Sequence, residues 1–152
     1  MVNLFTKYDE EQQKYVDIKP KLSLLQFLLN NGADPNSYGE LGPGDLPLDK
    51  AAAQNDMKAV KVLLGAGANP NQYDTQAGPL LMRMLDKGYK RMVILLVNRG
   101  ANVNEHSYGS CREPVEGVKL PLDKARELGY DQIALLLRNR GAKTMAECLA
   151  AQ

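Results

Sequence analysis

The chain is poor in the residues that most site chemistry requires. Its only cysteines are Cys111 and Cys148, with no CxxC pair, and its one histidine is His106. That is too few ligands for a zinc site or a disulfide framework. The pair is therefore expected as free thiols, one in a loop and one packing a helix, which fits a reducing compartment; the functional alternative is redox sensing. Neither sign of charge is in excess: 19 Lys and Arg face 18 Asp and Glu, so the electrostatic footprint of a nucleic-acid binder is missing. No stretch reaches the ~18 apolar residues needed to span a membrane. The opening MVNLFTKYDEEQQ turns polar before it can serve as a signal peptide. These absences predict a cytoplasmic protein, with secretion into a host cell without a cleaved signal left open. No Gly-rich phosphate loop, HExxH, EF-hand spacing or Ser or Cys beside a histidine occurs. No catalytic residue, metal ligand or cofactor is therefore assigned, and no enzyme is expected.

What is present is repetition. Apolar helical runs end in Gly-Ala four times, as GADPN, GANPN, GANVN and GAKT, with the glycines at 32, 67, 100 and 141 standing 35, 33 and 41 residues apart. Each glycine lies just past the last periodic residue, where it can take the left-handed conformation that ends a helix. The preceding runs are Leu25, Phe27, Leu28; Val60, Val62, Leu63, Leu64; Met92, Val93, Leu95, Leu96; and Ile133, Leu136, Leu137. Arg99 and Arg140 sit where a cation favours the helix dipole. Upstream, PLDKAAAQND, PLLMRMLDKG and PLDKARELG read as shorter helices opened by proline, with Asp49 and Asp123 at the positive end of the dipole. A unit of helix, turn, helix and loop used repeatedly indicates a solenoid.

These segments resemble the ankyrin repeat. LPLDKAA with LLGAGANPN, PLLMRML with LLVNRGANVN, and LPLDKA with LLLRNRGAK carry the likeness, over roughly residues 22 to 144. The Thr and His of the family's opening motif are absent, and its Gly-His turn survives only as Asn55-Asp56, Gly88-Tyr89 and Gly129-Tyr130. The resemblance implies an all-α solenoid in one domain spanning 1–152. Its helix-turn-helix-hairpin units would cover about 3–36, 37–71, 72–104 and 105–143, with a cap helix at 144–151. A degenerate first helix is expected around Glu10 to Val16, broken by Pro20. At the other end Thr144 and Glu147 form a capping box ahead of Met145, Cys148 and Leu149, which would cover the apolar end of the last repeat.

Function should then lie in binding a protein partner, with the chain a monomer. On the first helix of each unit, positions two, five and six beyond the core leucine point away from the core. Lys50, Arg83 and Lys124 recur at the first of these, a basic row suited to an acidic partner surface; the plainer reading is a solvated face offset by Asp49, Asp86, Asp123 and Glu127. The resemblance makes the loops after each glycine into hairpin fingers. Tyr38, Tyr73 and His106 fall at the variable hairpin position, with Tyr108 displaced by extra residues, of which about eight fall within EHSYGSCREPVEGVKL. Tyrosine combines a rigid apolar area with a polar tip and is enriched in interfaces; the plainer reading packs these rings on their own hairpins. Arg112 and Glu113 join Tyr108 as candidates in the insertion, because loops on a rigid scaffold carry recognition. The fold leaves an adaptor, a delivered effector, and a dedicated inhibitor or immunity protein that occludes an enzyme as the alternatives.

Overall fold

The computed structural model describes residues 6–17, 21–38, 46–74 and 77–152. The break expected at Pro20 and the first finger beyond Tyr38 lie outside them. The chain divides into two compact units, Met1–Gln72 and Tyr73–Gln152.

Unit one opens with a correction. In place of the helix expected around Glu10 to Val16 there is an antiparallel hairpin, β1 (Thr6–Asp9) with β2 (Lys14–Asp17), in which Tyr8 stands opposite Tyr15. Asp9 decides the matter: its Oδ1 accepts the amide hydrogens of Glu11 and Gln12 at 3.0 Å each. That Asx turn competes with helical bonding. Gln13 then takes a left-handed φ of 49°, and the strand formers Tyr15 and Val16 continue extended.

Helix α1 (Leu22–Asn30) follows, then the pair α2 (Pro47–Ala53) and α3 (Met57–Gly65), with α1 packed on α3. Pro47 opens α2, where its missing N–H has no partner to lose. Asp56 caps α3 by accepting from the amides of Lys58 and Ala59, both at 3.1 Å. Leu48, Ala51, Ala52, Val60 and Leu63 are fully buried between the two helices; the alanines let the backbones approach. The apolar run before Gly32 is less committed to the core than its spacing suggests. Leu25 is buried, but Phe27 and, one turn before it, Leu24 are exposed.

Unit two repeats the plan twice. Hairpin β3 (Tyr73–Asp74) with β4 (Gly78–Pro79) leads to α4 (Leu80–Asp86) and α5 (Lys90–Asn98). Hairpin β5 (Glu105–His106) with β6 (Gly109–Ser110), followed by the extra residues, leads to α6 (Pro121–Glu127) and α7 (Asp131–Asn139). First helices stack on first and second on second, α4 against α6 and α5 against α7. Leu81, Met84 and Leu85 meet Met92, Val93 and Leu96 in one layer, and Leu122, Ala125, Ile133 and Leu137 form the next. Each fully buried leucine contributes about 1.5–3 kcal/mol.

The four repeat glycines all have left-handed φ, between 81° and 90°, as their position after each helix requires. The motif also contains a device that its spacing alone does not reveal. The first Asx of Gly-Ala-Asx-x-Asn, as Asp34, Asn69 or Asn102, accepts the amide of the closing asparagine at 2.9 Å each time. Asn36 then reaches one repeat forward, donating to the Gly67 carbonyl and accepting from the Asn69 amide. Asn104 does the same to Gly141 and Lys143. Arg140 reaches backward, donating to the Val97 carbonyl and the Asn98 side chain, so it serves the dipole end of α5.

The chain ends in α8 (Met145–Leu149), capped by Thr144 and Glu147 as their spacing predicts. Three ties hold it. Arg138 of α7 grips the Glu147 carboxylate through two bonds of 2.8 Å. Asp123 Oδ2 accepts from the amides of both Leu120 and Met145, joining the starts of α6 and α8. The third tie overturns an expectation: Cys111 and Cys148 are not free thiols but a disulfide, with Cα atoms 5.1 Å apart. Cysteine count excluded a framework of several bridges, yet one bridge needs only two residues, and the fold brings the insertion onto the cap. Around the bond Leu120, Met145 and Cys148 form a small core that Cys111 and Val118 cover.

Candidate partner-binding surface

The third finger is built from short-range bonds. Ser110 Oγ accepts from the amides of Arg112 and Glu113, the Ser110 amide donates to the Glu113 carbonyl, and the Cys111 amide donates to that of Asn104. These turn the chain back at the start of the insertion, and the disulfide fixes its other side. Gly109 permits the turn: a Cβ there would press on Val115 and the Glu113 carbonyl at 3.2–3.3 Å.

The second finger leans on the third. β4 lies beside β5, and Gly78, at a φ of 81°, comes so close to Ser107 that any Cβ would overlap its side chain. From the same finger the Tyr73 hydroxyl donates to the Ser107 carbonyl at 3.3 Å. The tyrosine thus braces the neighbouring hairpin while its ring stays 49% exposed, so it satisfies the structural and the contact reading together. Tyr108 is 75% exposed at the tip of β5–β6, its ring 5.7 Å from that of His106. Tyr38, on the first finger, is exposed as well. Between the second and third fingers Tyr73, His106 and Tyr108 bound a cleft of about 410 Å³, which Glu113 and Val115 of the insertion close on one side. Arg112, also exposed, borders a neighbouring hollow with Asn102, Asn104 and Glu105.

The residues expected to form a basic row behave differently. Lys50, Arg83 and Lys124 are each half-buried at the same register of α2, α4 and α6. Lys124 is committed: its Nζ lies 2.9 Å from Asp86 and 3.8 Å from Glu127. The hydrogen bond to Asp86 raises the lysine's pKa, and Glu127 is held below the usual carboxylate range chiefly by its bond to Lys119. His106 lies close enough to this group to feel the charges of both Asp86 and Lys124, yet burial is the larger influence and lowers its pKa. Its imidazole is therefore neutral at neutral pH.

Seven of the nine sequence-predicted residues thus fall in unit two, where the structure gathers Tyr73, His106, Tyr108 and Glu113 at one cleft. Tyr38 and Lys50 fall in unit one. Glu105 was missed by sequence reasoning, although its place directly before His106 on the same finger was available as a signal. Among the described residues no cluster of His, Cys, Asp or Glu is arranged to hold a metal ion, and no helix is long and apolar enough to cross a membrane.

Comparison with known proteins agrees with this geometry. A family model for ankyrin repeats in three copies matches residues 18–107. Over 100 residues the chain is 33% identical to cyclin-dependent kinase 4 inhibitor B of Bos taurus, a match that covers 66% of this chain and 71% of the inhibitor. Over 135 residues it is 28% identical to the E3 ubiquitin-protein ligase KEG of Arabidopsis thaliana, covering 84% of this chain but only 8% of the ligase. Ankyrin repeats mediate protein–protein interaction, and by its repeats, its helix pairs and its fingers this chain belongs to the ankyrin-repeat family.

Proposed function

We propose that the chain is a non-catalytic, monomeric binding module whose repeats act as one domain, in units of about 3–36, 37–71, 72–104 and 105–143 closed by the 144–151 cap. It takes a protein partner on its fingers and its concave groove. The observation that carries this reading is the exposure of aromatic rings on braced hairpins: Tyr108 offers three quarters of its surface to solvent on a turn already bonded to its neighbours. A rigid, exposed ring loses little entropy on binding. Tyr38, Tyr73, His106, Tyr108, Arg112 and Glu113 form the finger contribution. Lys50, Arg83 and Lys124 would face an acidic patch of the partner, with Lys124 already bound to Asp86.

A dedicated inhibitor that occludes an enzyme is the second reading, favoured by the 33% identity to a kinase inhibitor over most of that protein's length. As to compartment, the expected cytoplasmic placement loses its thiol argument once Cys111 and Cys148 are bonded. A structural disulfide favours an oxidising environment.

The test pairs affinity with stability. A partner captured on the native chain is measured against Tyr38→Ala, Tyr73→Ala and Tyr108→Ala, each also followed by thermal melting. Tyr108→Ala should cost about 2 kcal/mol or more of binding with no loss of folding. Stability lost with affinity kept at all three positions would place the partner elsewhere.

A further inference from the structure

We infer that the cleft between the second and third fingers receives an arginine side chain presented by the protein partner. This rests on the finger-binding reading and adds the chemistry of what is bound.

The cleft's volume, about 410 Å³, lies near the lower end of small-ligand sites, which run from ~300 to 1,000 Å³. It suits one long side chain, not a helix. Its walls are of two kinds. The lining includes the aromatic residues Tyr73 and Tyr108 and the acidic residues Glu105 and Glu113. These two glutamates differ from the carboxylates of unit two that are held in ion pairs. Asp86 is paired with Lys124, Glu127 with Lys119 and Glu147 with Arg138, whereas neither Glu105 nor Glu113 has a cationic partner among the described residues. Burial lowers the pKa of His106, which also lines the cleft, and Arg112 lines only the next hollow, which Glu105 borders as well. The cleft therefore has two acidic residues outside any ion pair among the described residues, beside exposed tyrosines.

A guanidinium answers both features. It is planar, so it stacks on tyrosine, and its fork of N–H donors matches carboxylates. An ammonium would serve the charge but not the flat walls. The cleft is also preformed, because the Tyr73–Ser107 bond, the close approach of Gly78 to Ser107, the Ser110 turn and the disulfide fix its sides before any ligand arrives. Little ordering cost is left for binding.

The probe is the peptide Ac-Gly-Arg-Gly-NH2, titrated into the full 15N-labelled chain with amide shifts followed by NMR, against the same peptide carrying citrulline, the neutral isostere. Arginine should bind at least about tenfold more tightly, since a charge-assisted bond is roughly twice as strong as a neutral one, a difference worth about a factor of ten in affinity. Its shifts should be confined to Tyr73, residues 105–110, Glu113 and Val115. The Glu105→Gln/Glu113→Gln variant, both sites being exposed, should keep the native spectrum and lose the preference. Equal binding of arginine and citrulline, shifts spread over the surface, no binding of either peptide, or a variant that keeps the preference would each overturn the inference. The finger reading would still stand or fall on the tyrosine variants, so the two failures are distinguishable.

Discussion

Reducing the Cys111–Cys148 bond should loosen the C-terminal end of unit two. The bond spans 37 positions of chain, and closing a loop of that length removes about 4 kcal/mol worth of unfolded-state entropy at 25 °C on the chain-entropy account. For a protein of about this size each kcal/mol moves the melting temperature by roughly 2–4 °C, so the expected fall is roughly 8–16 °C if unfolding is cooperative. It should be concentrated at the cap, because the bond holds Cys111 and Val118 of the insertion against Leu120 and Met145. The clean perturbation is reduction of the wild-type chain, checked against Cys111→Ala, which breaks the bond but leaves the buried Cys148 in place. Thiol titration under denaturing conditions first establishes that the purified oxidised chain has no free thiol. Melting with and without reductant then gives the shift, and hydrogen exchange shows where protection is lost, expected in α8 and residues 111–120. Two titratable thiols in the chain prepared without reductant would refute the pairing. An intact bond whose reduction moved neither the melting temperature nor the exchange of α8 would refute the reasoning about the cap.

Two further outcomes follow from named contacts. Gly78→Ala should destabilise by about 1–2 kcal/mol from its left-handed backbone alone, and by more because the new Cβ overlaps Ser107; Ser107→Gly added to it should recover only the steric part in denaturant melts. Glu147, whose carboxyl is held down to about 2 from 4.5 mainly by Arg138 and then by the Thr144 amide, stabilises the fold fully above its unfolded pKa. Its contribution is lost as pH falls from about 4.5 through about 2, so Glu147→Gln should flatten the acid limb of the stability profile in that window, and an unchanged limb would show that the Arg138 grip does not form in solution.

The repeats were legible because what marks them is local. A glycine after an apolar run, a proline before one and a T-x-x-E box each act within a few residues, through backbone conformation and unpaired helix-end groups. The sequence by itself therefore determined the helix pairs, their ends, the cap and the finger positions, and Tyr73, His106, Tyr108 and Glu113 could be named from it. Local pattern failed at residues 6–17, where a single Asp9 carboxylate bonding the amides two and three residues on turned an expected helix into a hairpin. Everything else it missed depends on distance in space. Cys148 meets Cys111 across 37 positions, Asp86 neutralises Lys124 from the preceding repeat, Asn104 bonds the backbone at Gly141, and Glu105 shares a cleft with Glu113 and Tyr73. Such pairings carry no periodic signature, because which side chains meet is set by the stacking of the repeats and the path of the insertion. Only the tertiary structure decides which charges remain unpaired, and the charge left over at the finger cleft is what gives that surface its chemistry.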